Sequence, residues 1–163
     1  VRNIHNRGWF VIELSPEEVQ EVVSLRVALE AVAIRQAALC VTPSQIGEVR
    51  QSYQKLFDLA RRDDMVNLLQ ADFEFHQQLW VLSGHRLLKD ELIRISAPYF
   101  AYMQATIRQS PVPPHHFEIT VLQHQRILDY LEDPGRWDVA EVLEEHFRSL
   151  NIPGWDVLLR GKA

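Results

Sequence analysis

The sequence predicts an all-α protein, a six-helix antiparallel bundle preceded by a short β-hairpin. Three observations carry this. Apolar residues recur at helical spacing through successive stretches from Ser15 onward, helix-starting and helix-breaking residues punctuate those stretches, and strand-like runs are confined to the first fourteen residues. With 47% hydrophobic residues in a chain of 163, one domain can bury a sufficient core without disulfides.

The opening segment, Ile4-His5-Asn6-Arg7-Gly8-Trp9-Phe10-Val11-Ile12, is rich in β-formers around a turn signal at Asn6-Arg7-Gly8. Two strands alone are marginally stable, so the hairpin reads as the end of something larger. Its Arg2 and Arg7, with no acid before Glu13, make it the basic part of the chain. Ser15-Pro16-Glu17-Glu18 then starts the first helix, with Ser as N-cap, Pro in the first turn and Glu at the capping-box position; it should run to about Val41. Thr42-Pro43-Ser44 opens a second helix, with Ile46, Val49, Tyr53, Phe57 and Ala60 on one face. The third covers about Asp64 to Leu82 and stops at Ser83-Gly84. The fourth, about Leu87 to Gln109, contains Pro98, which should kink it. A proline-rich loop at 110–114 leads to a fifth helix ending near Leu131, with His115 and His116 as surface residues at its start. Asp133-Pro134-Gly135 precedes a sixth, which runs to Leu150. The chain therefore divides into residues 1–14, a helical domain at 15–152 and a short tail at 153–163.

Seventeen Lys and Arg against 22 Asp and Glu give a net charge of −5, a poor starting point for neutralising phosphates. No apolar stretch reaches transmembrane length, and residues 1–14 lack a signal-peptide profile. The single cysteine, Cys40, is expected to be a buried free thiol, which suits a reducing cytoplasm.

Several polar residues fall where an amphipathic helix should be apolar. Met65, Leu68, Leu69, Phe73, Leu79 and Trp80 define the inner stripe of the third helix, and Asp72 and His76 lie in its middle, four residues apart. His124 is centred among Phe117, Val121, Ile127, Leu128 and Leu131, and His146 among Val139, Val142, Leu143 and Leu150. An unpaired buried carboxylate costs several kcal/mol and an unsatisfied imidazole about 1–3. Each histidine alone is explained by a bond to a backbone carbonyl or hydroxyl; all four groups together are explained better by a divalent transition metal, whose preferred ligands they are. On the first helix Arg26 falls among Val22, Leu25, Leu29 and Ala33. It is either a snorkelling side chain paired with Glu30 or a guanidinium fork aimed at a bound carboxylate. Tyr99, Tyr102 and Thr106 share the inner face of the fourth helix with Leu88, Leu92 and Ile95, as core or as pocket lining.

Arg26-Val27-Ala28-Leu29-Glu30, Asp72-Phe73-Glu74-Phe75-His76, Ser83-Gly84, and His124 and His146 at intervals of 48 and 22 residues resemble the FCD domain. That is the C-terminal effector-binding and dimerisation domain of the FadR group of GntR-type transcriptional regulators, and six helices resemble its VanR-type branch. Asn6-Arg7-Gly8-Trp9-Phe10-Val11 is similar to the wing that ends the family's winged-helix DNA-binding domain. The resemblance implies that residues 1–14 are the end of a mostly missing DNA-binding domain, with Arg2 and Arg7 as DNA contacts. It implies a Zn, Ni or Mn ion on Asp72, His76, His124 and His146, and a small organic acid on that ion and on Arg26. It also implies a cytoplasmic homodimer that reaches DNA only through the N-terminal domain. His85 stands where the family commonly has Asn, as a candidate contact to ligand or metal. The competing reading is a metal-dependent hydrolase or hydratase, which needs a general base beyond the four ligands. The inner stripes offer no spare carboxylate for it, and Glu74 lies off the face of Asp72 and His76. A plain helical interaction module with structural histidines is the third.

Overall fold

The structure is a computed structural model and describes residues 2–4, 8–10, 13–109 and 117–149. Strands β1 (Arg2–Ile4) and β2 (Gly8–Phe10) pair antiparallel with Arg2 opposite Phe10, and residues 5–7 between them lie outside the described residues. Six helices follow among the described residues: α1 (Pro16–Cys40), α2 (Pro43–Arg61), α3 (Met65–Leu82), α4 (Arg86–Gln109), α5 (Glu118–Glu132) and α6 (Val139–Ser149). Every expected helix is present. Those of the loop at 110–114, His115, His116 and Leu150 lie outside the described residues.

Local chemistry sets the ends. Ser15 accepts the Glu18 amide while Glu18 accepts the Ser15 amide, and Thr42 and Gln45 repeat the exchange at the start of α2. Asp64 caps α3 through the Asn67 amide. Gly84, at φ 66°, takes the left-handed conformation that ends the chain path of α3 at no side-chain cost. The assigned helix α4 continues through Pro98.

The long helix α1 touches α3, α4, α5 and α6, and α2 covers α3 and α5 from the other side. Phe75, Leu79, Trp80, Ile34, Leu56, Leu92, Ile127, Leu128, Leu143 and Phe147 are fully buried between them. Two inner faces differ from expectation. On α1 the buried stripe is Val19, Val23, Arg26, Glu30, Ala33, Ile34 and Ala37, whereas Leu25 is half exposed. Composition misled there: the stripe follows the i, i+3, i+4 spacing through two charged residues, and apolar Leu25 lies off it. On α4, Thr106 is exposed and bonds back to the Tyr102 carbonyl, while Ser96, Phe100 and Ile107 face inward. Cys40 is a further correction. It sits on the exposed last turn of α1, with its thiol against the carbonyls of Gln36, Ala37 and Leu82.

The α1 capping box gives a direct test. Ser15→Ala should cost about 1 kcal/mol, lowering the urea midpoint with an unchanged slope. A midpoint equal to that of wild type would mean that the box contributes nothing to the folded state.

Candidate metal centre

Asp72 and His76 project from one face of α3, His124 from the middle of α5 and His146 from α6. Each offers one ligand atom, and these atoms lie within 4.8 Å of one another. The ring centroids of His124 and His146 are 4.4 Å apart, and those of His76 lie 5.3 and 5.1 Å from them. All three imidazoles are buried, and the Asp72 side chain keeps 18% of its surface exposed. The convergence expected from three separate periodicities is therefore what the fold builds.

In His76 and His124 the other ring nitrogen is already committed. His124 Nδ1 lies 3.0 Å from the Thr120 carbonyl oxygen, which can only accept, so Nδ1 carries the proton and Nε2 a lone pair. His76 Nδ1 lies 2.6 Å from Glu30 Oε2, which fixes the same tautomer against a carboxylate. His76 Nε2, His124 Nε2 and His146 Nδ1 are buried without a hydrogen-bond partner. His124 Nε2 is 2.8 Å from Asp72 Oδ1, within ion-pair range but without hydrogen-bond alignment. Buried polar atoms left unpaired cost about 1–3 kcal/mol each, and three imidazole nitrogens beside one carboxylate are the donor set that a divalent transition metal satisfies. The residues fit the ion that the resemblance implies.

Burial alone would raise the Asp72 carboxyl, but the adjoining His124, then His76 and His146, outweigh it when those rings carry a proton on the Asp72 side, and the group lies below its ordinary range. Burial, reinforced by His124 and His76, pushes His146 well below the usual imidazole value, so it is neutral at pH 7.

Glu30 was expected only as a possible partner of Arg26, a pair that the structure contains; its burial and its bond to His76 were missed. It is fully buried, accepting from Arg26 Nε at 2.7 Å with Oε1 and from His76 with Oε2. Its position four residues after Arg26, on the stripe running through Val19, Val23 and Ala37, was the available signal. A spare inward carboxylate thus exists, contrary to expectation. It is still a poor general base: despite burial, the charge of Arg26 and the hydrogen-bonded His76 lower its pKa to about 2, and both oxygens are engaged.

Arg26 neither snorkels nor reaches solvent. It is 1% exposed, its guanidinium lies 4.7 to 5.7 Å from the ring centroids of Phe147, Phe100 and Tyr99, and one terminal nitrogen has no partner. Arg26, Asp72, Tyr99, Thr120 and His146 share a small cavity of about 20 Å³ beside the cluster, room for roughly one water. Burial raises the Tyr99 phenol, so its hydroxyl stays protonated there. Tyr102 is half-buried and does not line this cavity. His85 is not brought to the centre: it is exposed, and its Nδ1 accepts the Leu88 amide at the start of α4. The backbone of Arg2 lies in β1; its side chain and Arg7 lie outside the described residues.

A helical bundle enclosing an Asp and three His defines the class of protein to compare. The sequence model of the FCD domain matches residues 21–149. The chain belongs to the FCD domain family, whose members form the effector-binding, regulatory part of GntR-type transcriptional regulators. The solved structure of E. coli McbR/YncC matches the fold with a TM-score of 0.77 at 16% sequence identity, covering 90% of this chain and 71% of that one. Among curated proteins, none matches the sequence.

Glu30→Gln should keep all four ligand residues yet weaken metal binding about 10–100-fold, as read by competition with a chelating dye; equal affinity would reduce Glu30 to a packing role. The same carboxylate predicts a pH dependence. Its folded-state pKa is depressed, so its contribution to stability is full above about 4.5 and lost as pH falls through about 2. In metal-free protein, the stability gap between wild type and Glu30→Gln should therefore close across that window in acid melts.

Proposed function

We propose that this chain is a metal-containing sensor: a divalent Zn, Ni or Mn ion held by Asp72, His76, His124 and His146 presents open positions to a small carboxylate metabolite, and Arg26 holds that carboxylate. The observation that carries this is the set of three buried imidazole nitrogens left unpaired beside Asp72. The bound ion supplies localised positive charge. The chain's own residues do the rest: Glu30 and Thr120 orient His76 and His124, and Tyr99 and the free Arg26 nitrogen offer donors to an anion. The cavity in its present size is too small for an acid. Its lining comes from α1, α3, α4, α5 and α6, so enlarging it to take an acid would couple binding to helix packing. Through a winged-helix domain, of which residues 1–14 are the end, that repacking would change DNA affinity in a cytoplasmic homodimer. A hydrolase or hydratase on this bundle is disfavoured by the engaged, weakly basic Glu30.

Dimerisation has a specific support. Leu25, Val32 and Leu39 are 50%, 43% and 80% exposed at intervals of seven on α1, an apolar stripe facing away from the core. Val32→Glu should convert a dimer to a monomer in sedimentation; an unchanged mass would move the interface elsewhere.

Protein purified without chelator should carry about one divalent ion per chain by elemental analysis, and His124→Ala combined with His146→Ala should carry none; equal metal content in both sinks the proposal. For Arg26, truncation breaks a buried pair. Arg26→Ala should therefore cost about 3–5 kcal/mol by denaturation, and Arg26→Lys, which keeps the charge but loses the fork, should weaken acid binding at least tenfold. Unchanged acid affinity in Arg26→Lys would leave the metal as the sole anchor.

A further inference from the structure

We infer that the pocket beside the four ligand residues selects a monocarboxylate with an apolar body over a di- or tricarboxylate. The inference rests on the sensor reading above and concerns the charge and shape of the effector within it. Among the described residues, Arg26 and Glu30 are the fully buried members of the Arg, Lys, Asp and Glu classes, and Asp72 is the partly exposed acid beside them. Metal ligation requires neutral imidazoles and an ionised Asp72. A divalent ion and Arg26 then bring three positive charges, and Asp72 and Glu30 two negative ones. One positive charge remains. A single carboxylate cancels it; each further carboxylate would leave an uncompensated negative charge in a desolvated site, which is strongly unfavourable.

The walls agree with the charge. Arg26 is the cationic side chain among the residues lining the cavity, and Glu30 already occupies part of its fork. Beyond Arg26, Asp72 and His146, the lining is apolar or aromatic apart from the hydroxyls of Tyr99 and Thr120. That lining offers an acyl chain or ring apolar contact and offers a second carboxylate no second cation. Met103, unbranched and half-buried, is the side chain best able to yield space to such a body.

Butyrate and succinate test this directly, because they have the same four carbons and differ in one terminal group. Titrated calorimetrically into metal-loaded protein, butyrate should bind at least tenfold more tightly than succinate, and citrate should bind no better than succinate. Metal-free protein, where the cluster carries a net negative charge, should bind none of the three. Succinate or citrate matching or exceeding butyrate would overturn the inference while leaving an acid sensor in place. Equal butyrate affinity with and without metal would also overturn it, since the charge balance would then be irrelevant. If none of the acids binds to protein shown to carry its metal, the sensor reading and this inference fall together.

Discussion

The fold turns on a buried ionic chain, Arg26 to Glu30 to His76, that links the longest helix to the ligand cluster. Two charges and an imidazole in an apolar interior are tolerable only when their hydrogen bonds are made and their charges cancel. Glu30 does both, by accepting from Arg26 with one oxygen and from His76 with the other. This ties α1 to α3 in one register: a slide or rotation of α1 by one residue would withdraw the carboxylate from His76 and leave three polar groups buried without partners. The chain therefore acts as a positional key as well as an orienting bond. The aromatic rings of Tyr99, Phe100 and Phe147 around the guanidinium bring α4 and α6 into the same arrangement.

Much of this architecture was legible in the sequence because helix signals are local. The capping box at Ser15, the helix openings at Thr42 and Asp64 and the stop at Gly84 each act within four residues, and each works in the structure as its type dictates. The four ligand residues were legible for a different reason: each is a polar exception on an otherwise apolar stripe, and such exceptions are costly enough to demand an explanation. The same logic failed where the stripe itself was misjudged. On α1, weighing Leu25 as an inward residue displaced the stripe and hid Glu30, whereas spacing from Val19 and Val23 through Ala33 and Ala37 runs straight through it. Cys40 was misplaced because a terminal turn of a helix can emerge from the core whatever its composition.

His85 illustrates the limit of arguing from position in a motif. It follows Ser83-Gly84, close in sequence to the end of the ligand-bearing helix, yet the left-handed turn at Gly84 redirects the chain so that the imidazole caps α4 instead. Tyr99 and Tyr102 show the corresponding point within a helix. Three residues apart, they are rotated enough that Tyr99 lines the cavity and Tyr102 does not. Which of two neighbouring residues reaches a site is decided by tens of degrees about a helix axis, and only the packed structure fixes that angle.

The ligand atoms come from α3, α5 and α6, with Glu30 added from α1, so no short piece of the chain contains the cluster. An ion that binds the assembled bundle and not the open chain shifts the folding equilibrium by mass action, by about 2.7 kcal/mol when its free concentration is a hundred times its dissociation constant. For a domain whose total stability is on the order of 5–15 kcal/mol, that is a substantial share. On the proposed metal site, abundance of the folded protein would track metal supply, and a cell short of the ion would lose the domain to proteolysis before any effector had the chance to act on it.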